Sequence, residues 1–301
     1  ANTCLEKDDF YEFAKPWLGE GLVTGKGKNN RNNRAFLAPP TVCAFVFLVT
    51  ALGVDFGDHT LLNSKYVQAT EEILYTMVDR FQKFWLHSSS TFKWSEVKRT
   101  QDRCLKILHN MSNTVILRIK FKPFMDLLLE LSIEKGVFND REIREHVDTM
   151  IVGGHDTSAN VLMFTLLLLG SHPEAQEKAF RRIEEVFGGS DRDVEKQDIS
   201  KLVYLEAVLK ESIRMYTIVP VLARKLDRNV SLSKIIFSEK YTLAAGRTCF
   251  MFLFGIHKHP MWGPDADQFN PDRWLSPDTL PDNQNCFVGF SLGRRMCIGK
   301  H

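Results

Sequence analysis

The sequence predicts a mainly α-helical fold (α+β) carrying small β-sheets. Two stretches with helical periodicity, one apolar helix long enough to cross a core, and a late group of short strand-like runs between turns carry that prediction. In the first periodic stretch, Ser64 to Leu86, the residues Val67, Ile73, Leu74, Met77, Val78, Phe81 and Phe84 recur at helical spacing and mark a core face. A second runs from Val97 to Ile119, and a polar link follows from Glu130 to Asn139. Upstream, Phe10 to Gly27 is punctuated by glycines, and Lys28 to Arg34 is poor in helix formers and reads as a loop. The apolar run Thr41 to Val54 is shorter than the roughly 20 residues a membrane span requires and reads as a buried helix or junction.

The long apolar helix covers Glu145 to Gly170 and is interrupted by Gly153 and Gly154. Each glycine costs a helix about 1 kcal/mol relative to alanine, so the pair needs a reason. A thinned, locally distorted helix leaves room for a diatomic ligand beside it, with Asp156 and Thr157 as a proton-relay pair. A zinc site is excluded there because Ala159, not a second ligand, follows His155 at i+4. The next helix is expected to start with Ser171 as N-cap and Glu174 closing a capping box, and to end at Gly188 and Gly189. Ser200 to Tyr216 is another helix, on which Glu211 and Arg214 share a face; alone, such a pair is a surface ion pair worth about 0.2–0.5 kcal/mol. Val219 to Arg224 reads as a strand, and Ile235 to Phe237 with Thr242 to Leu243 as a small sheet with a turn at Ala245 and Gly246.

The 301 residues suffice to bury a sizeable core. Thirty-nine basic against 37 acidic residues leave a net charge of +2, which gives no field for nucleic acid. The six cysteines form no Cys-x-x-Cys pair and no zinc-like spacing, which points to a reduced, intracellular-facing chain with one special thiol.

That thiol is Cys297, within Phe290-Ser291-Leu292-Gly293-Arg294-Arg295-Met296-Cys297-Ile298-Gly299. A cysteine that binds iron is held as thiolate, which nearby cations and inward-turned amides favour. Gly293 and Gly299 let the main chain curl around the sulfur, Phe290 offers an apolar wall, and Arg295 can pair with an anionic group. Gly289 to Gly293 also matches the Gly-x-Ser-x-Gly elbow of α/β-hydrolases, but no Asp or Glu follows it and the only later histidine is His301, so chain order excludes that reading.

The ten residues fit Phe-x-x-Gly-x-Arg-x-Cys-x-Gly and resemble the haem-binding loop of the cytochrome P-450 family. Asp148-Thr149 followed by Gly154-His155-Asp156-Thr157 is similar to the distal, oxygen-binding helix of the animal fourth family; Gly153 stands where that family often carries a haem-esterifying glutamate, so no covalent haem link is expected. Phe269 to Trp274 resembles the element whose Arg273 closes a Glu211–Arg214–Arg273 triad. The resemblance makes Cys297 the axial iron ligand, with Arg34, Arg224 and Arg295 toward the haem propionates; Asn30 stands where a tryptophan would normally join Arg34. It is dense from about Phe124 to Gly299 and patchy over 1–123, which implies one partial, incomplete P-450 domain truncated at both ends and without the parent's anchor. The implied activity is insertion of one oxygen atom from O2 into a lipophilic substrate, as in fatty-acid chain-end hydroxylation or xenobiotic oxidation. Electrons would come from NADPH through a reductase, or from a cytochrome b-type donor, at the cytoplasmic face of the endoplasmic reticulum membrane. Arg294, Arg295 and Lys300 form a basic rim for such a donor. Two alternatives remain open: a catalytically inert haem-binding product, and a helical interaction module without haem. Use as an isomerase or dehydratase is disfavoured by the presence of both Asp156 and Thr157.

Overall fold

The structure, a computed structural model, describes residues 7–20, 24, 64–118, 132, 136, 138–190, 192–232, 241–283 and 285–300. The readings on Asn30, Arg34, Thr41 to Val54, Ile235 to Phe237 and most of the 130–139 link lie outside those residues. Two units are present. One comprises 156–222 and 249–297, and the other the remaining described residues.

The second of these is helical over α1 (Lys15–Leu18), α2 (Ser64–Gln82), α3 (Ser89–Lys93), α4 (Glu96–Arg118) and the first half of α5 (Asp140–Ser171). Its core gathers Trp17, Leu18, Ile73, Cys104, Leu108, Ile143, Val147 and Ile151. Only part of the predicted α2 face is buried: Ile73 is sealed, whereas Val78, Phe81 and Phe84 are 48%, 45% and 75% exposed. At about 100° per residue, Val78 and Phe81 sit roughly 140° and 80° around the helix from Ile73. Phe84 falls beyond the helix end, on a 3-10 turn over Phe84–Leu86.

In the same unit β2 (Val230–Leu232) pairs antiparallel with β3 (Tyr241–Leu243), with Val230 opposite Leu243 and Leu232 opposite Tyr241. A second two-stranded sheet joins β1 (Val221–Lys225) to β4 (Thr248–Phe252). The expected turn at Gly246 is present, at φ 76°, and its amide donates to Leu226 O at 2.7 Å.

Helix α5 runs 32 residues without a break, so the distortion expected at Gly153 and Gly154 does not occur. Glycine lowers helix propensity without forbidding helical φ and ψ, and both neighbouring turns are strong enough to carry it. A Cβ placed on Gly153 would meet nothing within 4 Å, so the position is open.

In the other unit α5 continues into α6 (Pro173–Phe187), α7 (Lys196–Ile199), α8 (Val203–Met215) and α9 (Leu253–His257). Ser171 does not cap α6: it closes α5, donating its hydroxyl to Leu167 O, and His172 takes the N-cap place. Pro173 decides this, because it favours the first helical position and forces extended backbone on the residue before it. Gly188 ends α6 at φ 60°, as predicted. Leu168, Ala179, Tyr204, Val208 and Phe269 form one cluster here, and Trp262, Ala266 and Cys286 another. The four described cysteines are free, and among the described residues no helix is long and apolar enough to cross a membrane.

Candidate active site

Glu211 and Arg214 are not a surface pair. Both are fully buried on α8, and Arg273, from the 3-10 turn Pro271–Trp274, joins them. Glu211 Oε1 accepts from Arg214 Nη2 at 2.8 Å, from Arg273 Nε at 3.0 Å and from the Asn270 amide at 3.0 Å. Its Oε2 accepts from Arg214 Nε and Trp274 Nε1, each at 2.9 Å. Burial alone would raise the Glu211 pKa, but the bonds and charge of Arg214, the Asn270 amide and the Arg273 charge outweigh it and hold the group below its ordinary value. The arginines also bind main chain: Arg214 donates to His257 O and Ala266 O, and Arg273 to Trp262 O and Asp265. Three charged side chains thus clamp the segment from His257 to Trp274.

Phe287 to Cys297 forms a tight loop in this unit. Ser291 donates its amide to Val288 O, and the Cys297 amide donates to Phe290 O, both at 2.8 Å. Closing it requires left-handed backbone at Ser291 (φ 59°) and Gly293 (φ 76°), and only the second is cheap. A serine held there marks a site where the surroundings over-determine the backbone. Cys297 is exposed, and Phe290, Gly293 and Arg295 are half-buried. An accessible thiol with an aromatic and a guanidinium on the same loop would suit a thiolate ligand to haem iron, with the guanidinium for an anionic group. Among the described residues no group of three His, Cys, Asp or Glu side chains converges.

The other predicted residues stand on other segments of the chain. Asp156 and Thr157 are half-buried on α5, where Asn160 Nδ2 donates to Asp156 O at 2.8 Å and reaches Asp156 Oδ1 at 3.4 Å. Arg224, on β1, is buried and donates to Ala223 O at 2.9 Å; it and the exposed Gly299 belong to the unit that holds α1 to α4. Arg34 lies outside the described residues.

Two residues of the loop's surroundings escaped the sequence reading. Gly289 is pressed so close to α8 that a Cβ would fall 2.5 Å from Ile213 Cγ2 and 3.0 Å from the Phe287 ring. Its only signal was its place in the discarded Gly-x-Ser-x-Gly match. The other is His257, whose Nε2 accepts the Val288 amide at 3.0 Å.

A family model described as Cytochrome P450 matches residues 41–301. The chain belongs to the cytochrome P450 family. Cytochrome P450 4V2 of Mus musculus is 29% identical, over 98% of this chain and 67% of that protein. Probable cytochrome P450 4s3 of Drosophila melanogaster is 28% identical over 99% and 70%, and cytochrome P450 4F4 of Rattus norvegicus 26% identical over 100% and 68%. A crystal structure of a cytochrome P450 (CYP102L1) superposes with a TM-score of 0.77 at 19% identity, covering 98% of this chain and 78% of that one, which establishes the fold. The mainly helical P450 fold with small sheets is therefore the one the sequence predicted. As a cytochrome P450 the chain is an oxidoreductase of the monooxygenase class, a family whose cofactor is a haem with a thiolate ligand.

Proposed function

We propose that this cytochrome P450 uses Cys297 as its haem-iron ligand and inserts one oxygen atom from O2 into lipophilic substrates, fatty-acid chain ends foremost. The observation that carries the reading is the Cys297 loop, an accessible thiol whose amide is tied to Phe290 O across a left-handed serine. Bound haem with a thiolate ligand supplies the electron-rich iron that activates dioxygen. The chain's own residues do the rest. The Glu211–Arg214–Arg273 clamp immobilises the segment leading to the loop, so the sulfur is presented in one geometry. Phe290 would wall one side of the haem beside the sulfur, and Arg295 on the same loop would pair with a propionate. Asp156, oriented by Asn160, takes protons from the solvent side and passes them to the Thr157 hydroxyl on the next residue of α5.

Electrons reach the site from an NADPH-dependent reductase or a cytochrome b-type donor, for which Arg294 and Arg295 offer a basic docking face. The endoplasmic reticulum membrane, cytoplasmic side, is the corresponding location. The fatty-acid choice rests on the likeness to animal fourth-family P450s, three of whose members are named above. The test is product analysis of the haem-loaded chain with NADPH, reductase and a panel of fatty acids. Hydroxylated fatty acids that disappear with Cys297→Ala are expected. A panel left untouched by a chain that oxidises other lipophilic compounds would overturn the substrate class, and activity that survives Cys297→Ala would overturn the ligand.

A further inference from the structure

His257 closes α9 with its side chain wholly buried, and it meets three partners at once. Its carbonyl accepts from Arg214 Nη1 at 2.8 Å, its Nδ1 lies 2.7 Å from Thr217 Oγ1, and its Nε2 lies 3.0 Å from the Val288 amide nitrogen. A backbone amide only donates, so Nε2 must be the bare acceptor and Nδ1 must carry the proton. The imidazole is thereby fixed as the neutral Nδ1–H tautomer, donating to Thr217. Phe287 stacks on the ring at 5.5 Å and 21°, which fixes the residue before Val288 as well.

From Val288 the bonds continue to the thiol. Val288 O accepts the amide of the strained Ser291, and Phe290 O accepts the amide of Cys297. We propose that His257 is a positioning residue for the thiolate loop: its neutral ring, anchored on Thr217, holds the Val288 amide and with it the turn from which the Cys297 amide hangs. This inference rests on the haem-thiolate reading and adds to it a residue that connects the Glu211–Arg214–Arg273 clamp to the sulfur.

Protonation of Nε2 would set a donor against the Val288 amide and break the link. The charged groups around the ring are Arg214 and Glu211 from α8, and Lys258 follows it in the chain. Burial first, and the Arg214 cation second, push the His257 pKa down to about 4 against the opposing pull of Glu211, so the link survives mild acid.

The test compares His257→Gln, His257→Leu and Thr217→Val with the wild-type chain, both without haem and loaded with it. Glutamine offers an acceptor near the place of Nε2 that cannot be protonated; leucine offers none. Two quantities are read from about pH 4 to 8: the exchange rate of the Val288 amide, and the fraction of the reduced, carbon-monoxide-bound chain with the red-shifted thiolate band. His257→Leu is expected to speed Val288 exchange at least about 10-fold, the loss of one hydrogen bond, and to deplete the thiolate band. His257→Gln is expected to stay within about threefold of wild type at neutral pH and to keep the band at acidities where wild type loses it. Thr217→Val is expected to fall between the two. A leucine variant equal to wild type in both readouts, or a glutamine variant that behaves as leucine does, overturns the proposal. If the leucine variant does not fold, the acid limbs decide, and a glutamine variant that loses the band at the wild-type pH overturns it. Absence of a thiolate band in the wild type would fault the haem-thiolate reading alone, because Val288 exchange still reports the His257 link.

Discussion

Replacing Glu211 with glutamine tests whether the buried clamp stabilises the fold. The side chain keeps its shape and loses one acceptor oxygen and its charge. Five donors converge on the carboxylate, three on Oε1 and two on Oε2. Whichever oxygen becomes an amide nitrogen, at least two donors then face a donor. Each hydrogen bond to a charged group is worth about 1.5–3 kcal/mol, and breaking a buried ion pair from one side costs about 3–5 kcal/mol, so a loss of at least ~3 kcal/mol is expected. Against the ~5–15 kcal/mol that holds a domain together, that is a large fraction. Urea unfolding followed by tryptophan fluorescence reads it directly, since Trp274 donates to Glu211 and Trp262 accepts from Arg273. Glu206→Gln is the control: Glu206 pairs with Lys210 on the exposed side of the same helix, and its loss should cost below ~0.5 kcal/mol. A Glu211→Gln loss under ~1 kcal/mol, or one equal to the control, would refute the reasoning.

Other outcomes follow from single sites. Burial pushes the Asp148 carboxyl up to about 7, with the Ser112 hydrogen bond and Arg144 only partly opposing it. The folded state therefore binds this proton more tightly than the unfolded chain, so the contribution to stability is fully present below about pH 4 and is lost as pH climbs to about 7, some 4 kcal/mol in all. Asp148→Asn should accordingly stabilise the chain by about 2–4 kcal/mol at pH 8 and leave it unchanged near pH 4, which denaturant midpoints across that range would reveal; destabilisation at pH 8 contradicts it. His257, with its pKa lowered to about 4, acts with the opposite sign, its contribution being present above about 6.5 and lost as pH falls to about 4. The Asp148→Asn variant should therefore show stability rising with pH over that window. Gly289→Ala should cost about 1–3 kcal/mol by driving Ile213 and Phe287 aside, and thermal unfolding unchanged by the substitution would mean the loop gives way freely.

Much of this molecule is legible in its sequence where local periodicity coincides with burial. Helices α4, α5 and α8 appear within a few residues of their predicted spans, although on α5 Leu162, Met163, Leu166 and Leu167 are exposed. Glu211, Arg214, Arg273 and the Cys297 loop were legible through their resemblance to cytochrome P-450 motifs; spacing alone reads Glu211 and Arg214 as a surface pair. The misses share a different origin. Val78 and Phe81 repeat with the α2 period but point away from its buried stripe, and Phe84 falls past the helix end, on the following 3-10 turn. The Ser171 cap was a valid local signal overruled by Pro173. The structural roles of His257, Gly289 and Asp148 were not legible, because they come from residues dozens of positions away: Val288, Ile213 and Ser112.

The central claim is that Cys297 ligates the haem iron, and the absorption spectrum of the haem-loaded, reduced, carbon-monoxide-bound chain tests it most directly beside Cys297→Ala. The account predicts a strongly red-shifted Soret band in the wild type that vanishes in the variant. A band that survives the substitution, or one characteristic of a nitrogen ligand in both chains, would contradict it.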